Sequence, residues 1–173
     1  MAKNKASKPR NKKYVPKYQD KIPVLFKFTE KELEELRIMT QGAIFALTSG
    51  RGNMEAWRDI LWRLAVGREM AIKYFKEDEA CSMFHEAIRH AIRIYQAHEG
   101  KPNEAWVISA EDAQRFQEAC DLADTMIPQL TRREYTQAYE PLSNMPISVF
   151  ATQDVSWEEY KAVRLTGLKV EPA

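Results

Sequence analysis

The stretch from Glu111 to Tyr139 constrains the fold of this chain more than any other. Its apolar residues recur at steps of three and four, which predicts a helix with a buried seam. The seam consists of Phe116, Ala119, Ala123, Met126 or Ile127, and Leu130. Ser109 is the predicted N-cap, and Asp112 is expected to reach back to a free backbone N–H, as in a capping box. Asp121 and Asp124 lie off the seam, so we predict that both are solvated.

A proline and a second capping signal divide this stretch. Pro128 lacks an N–H and crowds the preceding turn, so it weakens the helix there. Thr131 and Glu134 then have the spacing of a capping box. We therefore expect a kink or a new helix at this point, and the helical pattern breaks after Tyr139.

Similar signals divide the rest of the chain into helices. They are Thr29 with Glu32, Asn53, the acidic run 77–79, and Ser156 with Glu159. We predict an all-α fold with a single helical-bundle domain of five to six helices in residues 22–173. Two segments are exceptions. Ile22 to Phe28 is expected to be extended, and Ile147 to Phe150 to form a short strand or an extended strap.

The apolar face of each helix predicts the core. In the first three helices these faces are Leu33, Leu36, Thr40, Ala43, Ile44 and Leu47; Met54, Trp57, Leu61, Leu64, Ala65, Ile72 and Phe75; and Phe84, Ala87, Ile88, Ala91, Ile92 and Tyr95. Arg68 falls on the second face, where we expect it to snorkel or to pair with an acid. Cys81 and Cys120 lie within such patterns and are predicted to be buried small hydrophobes.

The distribution of charge separates residues 1–21 from the rest. This segment holds eight Lys or Arg and one acid, a charge of +7, whereas the remaining chain holds 18 basic and 24 acidic residues, a charge of −6. The segment has little apolar content and cannot bury enough surface to offset its ordering entropy, so we predict a disordered basic arm. Such a split in charge is typical of an interaction arm.

The arm carries the strongest functional signal. Its basic side chains can neutralise phosphates and release counterions, and its tyrosines can stack on bases. The predicted nucleic-acid-binding residues are Lys3, Lys5, Lys8, Arg10, Lys12, Lys13, Tyr14, Lys17 and Tyr18. The alternative is a solubilising tail that packs on the acidic body.

No catalytic or metal-binding constellation stands out, and we predict a non-enzymatic protein without a cofactor or metal. His85 and His90 are five residues apart, whereas the zinc protease motif needs a separation of four to direct both rings to one metal. Glu86 and His90 have a suitable separation but lack a third ligand, so surface pairing of the two is favoured. Cys81 and His85 likewise lack a third group for a nucleophile–base pair.

Two tryptophans on the second helix raise a different possibility. Trp57 and Trp62 are five residues apart and therefore point to different faces, with one of them expected in the core. An exposed tryptophan near Arg58 and Arg63 would form a binding patch. Ordinary partial burial is the favoured interpretation.

Several short motifs carry a resemblance over most of residues 8–139. They are Lys12-Lys13-Tyr14, the Trp–Leu pattern from Trp57 to Leu64, Trp106, and Leu130-Thr131-Arg132-Arg133-Glu134-Tyr135 with Ala138 after it. In these features the chain resembles a set of small accessory proteins encoded in tailed bacteriophages and prophages. The resemblance implies no catalytic residues. It implies a phage accessory context: regulation, host takeover or countering of host defence.

Two functional hypotheses follow. The first is a phage-type accessory protein that binds nucleic acid or a nucleoprotein through its arm in the cytoplasm of the bacterial host. The alternative is a protein-binding inhibitor of a host factor, which acts through an acidic helical body that imitates the charge of nucleic acid. The sequence has no apolar run of membrane-spanning length and no apolar stretch after the charged start, so we predict neither a membrane anchor nor a signal peptide.

Overall fold

The computed structural model describes residues 26–101, 105–143, 145–151 and 153–166, which form an all-α body. Its helices are α1 (Glu30–Thr48), α2 (Met54–Met70), α3 (Asp78–His98), α4 (Ala110–Met126), α5 (Arg132–Ser143), α6 (Ile147–Ala151) and α7 (Trp157–Thr166). Six of them have ten or more residues, and α6 is a short helix of five. The predicted all-α class with five to six helices is therefore confirmed. None of the helices in these ranges is long and apolar enough to cross a membrane.

Helix α2 lies at the centre of the body and packs against α1, α3, α4 and α5. From Ile60 to Met70 every residue except Trp62 is buried, because neighbours cover this helix on several sides. A π-helical turn over Ala71–Phe75 ends it. Lys76 then adopts a left-handed conformation with φ of +57°, and its N–H donates to the carbonyl of Ala71 at 2.7 Å.

The predicted apolar faces form the core, with one clear exception. The α4 seam is buried along its whole length, from Phe116 to Leu130. The α1 face is half-buried at Leu33 and Leu36 and buried from there to its end, whereas the α3 face is buried except at Tyr95, which is half-buried. Met54, the first residue of α2, is the exception, at 38% exposed.

The predicted helix boundaries at Thr29, Asn53, Ser109, Thr131 and Ser156 are confirmed. Each side chain accepts a hydrogen bond from the backbone N–H three residues later. The box at Ser109 differs from the prediction, because the Asp112 carboxylate accepts from the Ser109 hydroxyl at 2.7 Å. Aspartate is one methylene shorter than the glutamate that usually fills this position.

The region around the last prolines corrects two predictions. Helix α5 continues past Tyr139 to Ser143, with Pro141 inside its last turn. The helical bond that Pro141 cannot make would go to the carbonyl of Gln137, and Lys73 Nζ donates to that carbonyl at 2.8 Å instead. Residues 147–151 form helix α6 rather than a strand or strap.

Candidate nucleic-acid interface

The predicted arm joins the body beside the start of α5. All nine arm residues predicted to bind nucleic acid lie outside the described residues. The carbonyl of Phe26 accepts from the Arg132 N–H at 2.9 Å, and Lys27 forms an antiparallel bridge with Thr131. The described end of the segment Ile22 to Phe28 is thus extended, as predicted.

Phe28 anchors this segment to the body. Its ring meets the ring of Tyr135 edge to face, with the centroids 5.0 Å apart. The Arg132 guanidinium lies 5.6 Å from the centroid of Phe28 and also pairs with Glu32. These contacts join the first turns of α1 and α5, and they hold the chain at the point where the arm begins.

Ion pairing uses most of the positive charge on the body. The described ranges contain 22 acidic and 17 basic residues. At least ten of the basic residues form ion pairs: Lys31, Arg37, Arg63, Lys73, Arg89, Arg93, Arg115, Arg132, Lys161 and Arg164. The described body therefore carries more negative than positive charge, which does not favour a phosphate backbone.

A groove lies between α1, α2 and α5, close to the anchor of the arm. We call it the α2 groove; it has a volume of about 220 Å³. Its apolar walls are Leu36, Met39, Trp62, Val66, Tyr135 and Tyr139, and its polar groups belong to Thr40, Asp59 and Arg63. A shallower depression continues past Trp62 and Tyr139 and includes Arg58. The rings of Trp62 and Tyr139, with centroids 6.2 Å apart, line both cavities.

Arg63 brings unsatisfied hydrogen-bond donors to the α2 groove. Its side chain is 6% exposed, and its Nη2 pairs with Asp124. The Nε and Nη1 atoms are buried without a partner among the described residues. Burial raises the pKa of Tyr135, and the nearby positive charge of Arg63 offsets part of that effect. Buried donors without partners are unfavourable; these two atoms are covered by protein, and the Tyr135 hydroxyl is the polar group beside Arg63.

The carboxylate that holds Arg63 corrects another prediction. Asp124 was expected at the surface, but its side chain is only 12% exposed and it also accepts from Arg37 Nε at 3.2 Å. Asp121 is exposed, as predicted. Spacing along α4 placed Asp124 off the seam correctly. It could not show that two arginines from α1 and α2 would cover that side of the helix.

The two tryptophans of α2 do point to different faces. Trp57 is 1% exposed and its Nε1 donates to the carbonyl of Ala91 at 2.8 Å. Trp62 is half-buried in the wall of the α2 groove, with Arg63 in the same groove and Arg58 in its continuation. Partial burial is confirmed, and the arginines that the sequence placed near this tryptophan share its cavity.

The histidine segment of α3 is organised differently from the prediction. His85 is fully buried, with Nε2 2.8 Å from the carbonyl of Val155 and Nδ1 3.0 Å from Arg68 Nη1. Because a carbonyl can only accept and a guanidinium can only donate, these partners fit a neutral ring protonated at Nε2. Burial lowers the pKa of His85, as does the positive charge of Arg68.

The predicted surface pair of Glu86 with His90 is wrong. Glu86 pairs with Arg89, while His90 Nδ1 lies 3.0 Å from Asp112 on α4. The i, i+4 spacing permits a pair within one helix, but partners from the next turn and from the neighbouring helix compete for both side chains. No group of three or more His, Cys, Asp or Glu side chains in the described ranges could hold a metal ion.

Arg68 is buried rather than snorkelling, and it forms no ion pair with an acid among the described residues. It is 1% exposed, and besides His85 it donates to Gln153 Oε1 at 2.8 Å and lies 4.2 Å from the centroid of the Tyr160 ring. Residues from the C-terminal part of the chain thus supply its environment, which spacing within α2 cannot predict. Cys81 and Cys120 are buried free thiols, as predicted, and burial raises the pKa of Cys120 to about 12.

Comparison with protein-family models, with curated proteins and with solved structures finds no match to this chain. The resemblance to phage accessory proteins therefore stays a prediction.

Proposed function

We propose that this protein binds nucleic acid or a nucleoprotein, without catalysis, through its basic N-terminal arm. The observation that supports the proposal most strongly is the partition of charge. Residues 1–21 carry +7, whereas the described body has more acids than bases and uses most of its bases in ion pairs. Neutralisation of phosphates, which dominates affinity for nucleic acid, would therefore fall to the arm. A phage accessory role fits this activity, on the resemblance alone.

The attachment of the arm supports the same proposal. Phe26 to Phe28 are held against α5, so a strand bound by the arm would stay close to this side of the body. Tyr18 precedes Phe26 by eight positions, and an extended chain spans at most about 3.5 Å per residue. A chain of this length reaches no farther than roughly 28 Å from the anchor, which is short enough for the arm and the adjoining surface of the body to act together.

Deletion of residues 2–17 tests the proposal. We expect the truncated protein to lose most of its affinity for labelled single strands and duplexes, as measured by fluorescence anisotropy over a series of salt concentrations. Removal of one phosphate-binding side chain lowers the log–log salt slope on duplex DNA by roughly 0.9. A variant with residues 2–17 in scrambled order is the control, because it keeps the charge and should keep most of the affinity. Equal binding by full-length and truncated protein at physiological salt would overturn the proposal.

The tyrosines of the arm are tested separately. Replacement of both Tyr14 and Tyr18 by alanine removes the aromatic rings and keeps every positive charge. If the rings stack on bases, single-strand affinity falls by about 1–3 kcal/mol per base. Duplex binding, which depends on phosphates, should change little.

A specific feature of α1 favours the second candidate function, inhibition of a host protein. Ile38 and Phe45 lie two turns apart on one face of α1 and are 59% and 67% exposed. Gly42 lies between them, with open space around its Cα. Apolar side chains exposed on one face are typical of a protein contact. The test is whether this protein captures a host protein. Capture that persists after nuclease treatment, and that is lost when Ile38 and Phe45 are both replaced by alanine, would favour inhibition over nucleic-acid binding.

A further inference from the structure

We infer that the α2 groove receives one unpaired nucleobase of the strand that the arm holds, and that guanine fits it best. The inference rests on the proposed binding of nucleic acid by the arm. It goes further by assigning a site on the folded body and a preference for a base.

The position of the groove supports a shared ligand. Tyr135 contacts Phe28 on the segment that leads from the arm, and it also lines the α2 groove. A strand held by phosphate contacts to the arm would therefore pass close to the mouth of the groove. Arg58 is exposed in the adjoining depression and forms no ion pair among the described residues, so it can meet a phosphate there.

The aromatic side chains suit a flat ligand. Tyr139 is 43% exposed at the rim, and Trp62 forms part of the wall. Unpaired bases bind to proteins by stacking on such rings. The volume of about 220 Å³ is small for a drug-sized ligand, and it suits a single ring system rather than a peptide segment.

The polar groups favour guanine over the other bases. The Nε and Nη1 atoms of Arg63 are covered by protein and cannot reach a base in the groove. Asp59, one turn earlier on α2, is exposed and forms no ion pair within the described ranges. Guanine presents its imino N–H and its amino group side by side, so both can donate to one carboxylate. Adenine and cytosine have an amino group but no neighbouring imino N–H, and thymine and uracil have an imino N–H but no amino group.

Matched single strands provide the test, with the full-length protein and fluorescence anisotropy. One strand contains only thymidine, a second has one central guanosine, and a third has one central abasic site. We expect the guanosine strand to bind roughly tenfold more tightly than the abasic strand, as for the gain of one stacked and hydrogen-bonded base. Tyr139→Ala should reduce this difference strongly, so that the guanosine and abasic strands bind with similar affinity.

Two further variants separate the groove from the fold and from the arm. Asp59→Asn keeps the size of the side chain but removes the charge and one of the two acceptors, so it should abolish the guanine preference. Phe45→Ala removes an exposed ring on the outer face of α1 and should behave like the wild type. Equal affinity for all three strands in the wild type, with binding that still depends on the arm, would overturn this inference and leave the proposed function standing.

Failure of the proposed function gives a different result: deletion of residues 2–17 then has no effect on the binding of any strand.

Uncharged nucleosides test the groove independently of the arm, since they carry no phosphate. We expect saturation-transfer NMR signals from guanosine that disappear in Tyr139→Ala. Absence of such signals in the wild type, or saturation of the groove by an acidic peptide instead, would contradict the inference.

Discussion

At the scale of single residues, Phe116 tests the packing of the core. It lies on the α4 seam and is 1% exposed. Phe116→Ala should destabilise the body by about 3–5 kcal/mol, because the truncation removes buried area and leaves a cavity. Phe45→Ala is the matched control: this ring is 67% exposed, and its removal should change the free energy of unfolding by less than about 0.5 kcal/mol. Chemical denaturation of both variants measures the difference, and equal effects would contradict the assignment of the core.

His85 gives a residue-scale prediction about pH. Its pKa in the folded protein is lowered by burial and by the charges of Arg68 and Arg89, while the bond to Val155 and the charge of Glu86 oppose the shift. An unfolded histidine binds its proton near pH 6.5. Below that value the unfolded chain binds more protons than the folded one, so stability that is fully present above about pH 6.5 is lost as the pH falls.

The variant His85→Gln isolates this effect. A glutamine side chain can accept from Arg68 and donate to the Val155 carbonyl, but it does not titrate. The melting temperature of the wild type should fall between about pH 6.5 and 5 more steeply than that of this variant. His98→Gln serves as the control at a half-buried histidine that bonds within its own helix. A parallel fall in the wild type and in His85→Gln would show that other groups cause the pH dependence.

At the scale of helices, a glycine allows α2 and α3 to pack closely. A Cβ added at Gly67 would lie 2.3–2.8 Å from atoms of the Phe84 ring, whereas a Cβ at Gly42 on α1 would meet nothing within 4 Å. Gly67→Ala should therefore destabilise by about 1–3 kcal/mol through overpacking. Gly42→Ala should stabilise by about 0.5–1 kcal/mol, because alanine loses less entropy in a helix. Stabilisation of similar size in both variants would mean that the two helices can move apart at little cost.

At the scale of the whole molecule, the described core begins at Phe28, so the fold should not depend on the arm. Deletion of residues 2–17 is expected to leave the helical circular dichroism spectrum and the melting temperature unchanged. A melting temperature lowered by several degrees would show that the arm packs on the acidic body. That outcome would favour the alternative interpretation of the arm as a tail folded against the protein.

Much of the architecture follows from local sequence. The capping residues Thr29, Asn53, Thr131 and Ser156 act on backbone groups within three residues of themselves, so their positions mark helix starts without any knowledge of the fold. The spacing of apolar residues likewise identifies the buried face of each helix, because a helix must hide that face from water. The charge of the arm is also visible in the sequence alone. For the α2 groove, the sequence indicated only that one of Trp57 and Trp62 could lie exposed near Arg58 and Arg63, and it favoured ordinary partial burial over a binding patch.

Only the tertiary structure decided where the polar side chains go. The sequence did not identify the partners of Asp124, His85 and Arg68, which are more than 15 positions away along the chain. Periodicity shows which side of a helix faces inward, and it carries no information about which helix packs there or which charges it brings. The α2 groove depends on three helices meeting, and the unsatisfied donors of Arg63 exist only because burial has removed the water that would otherwise bind them.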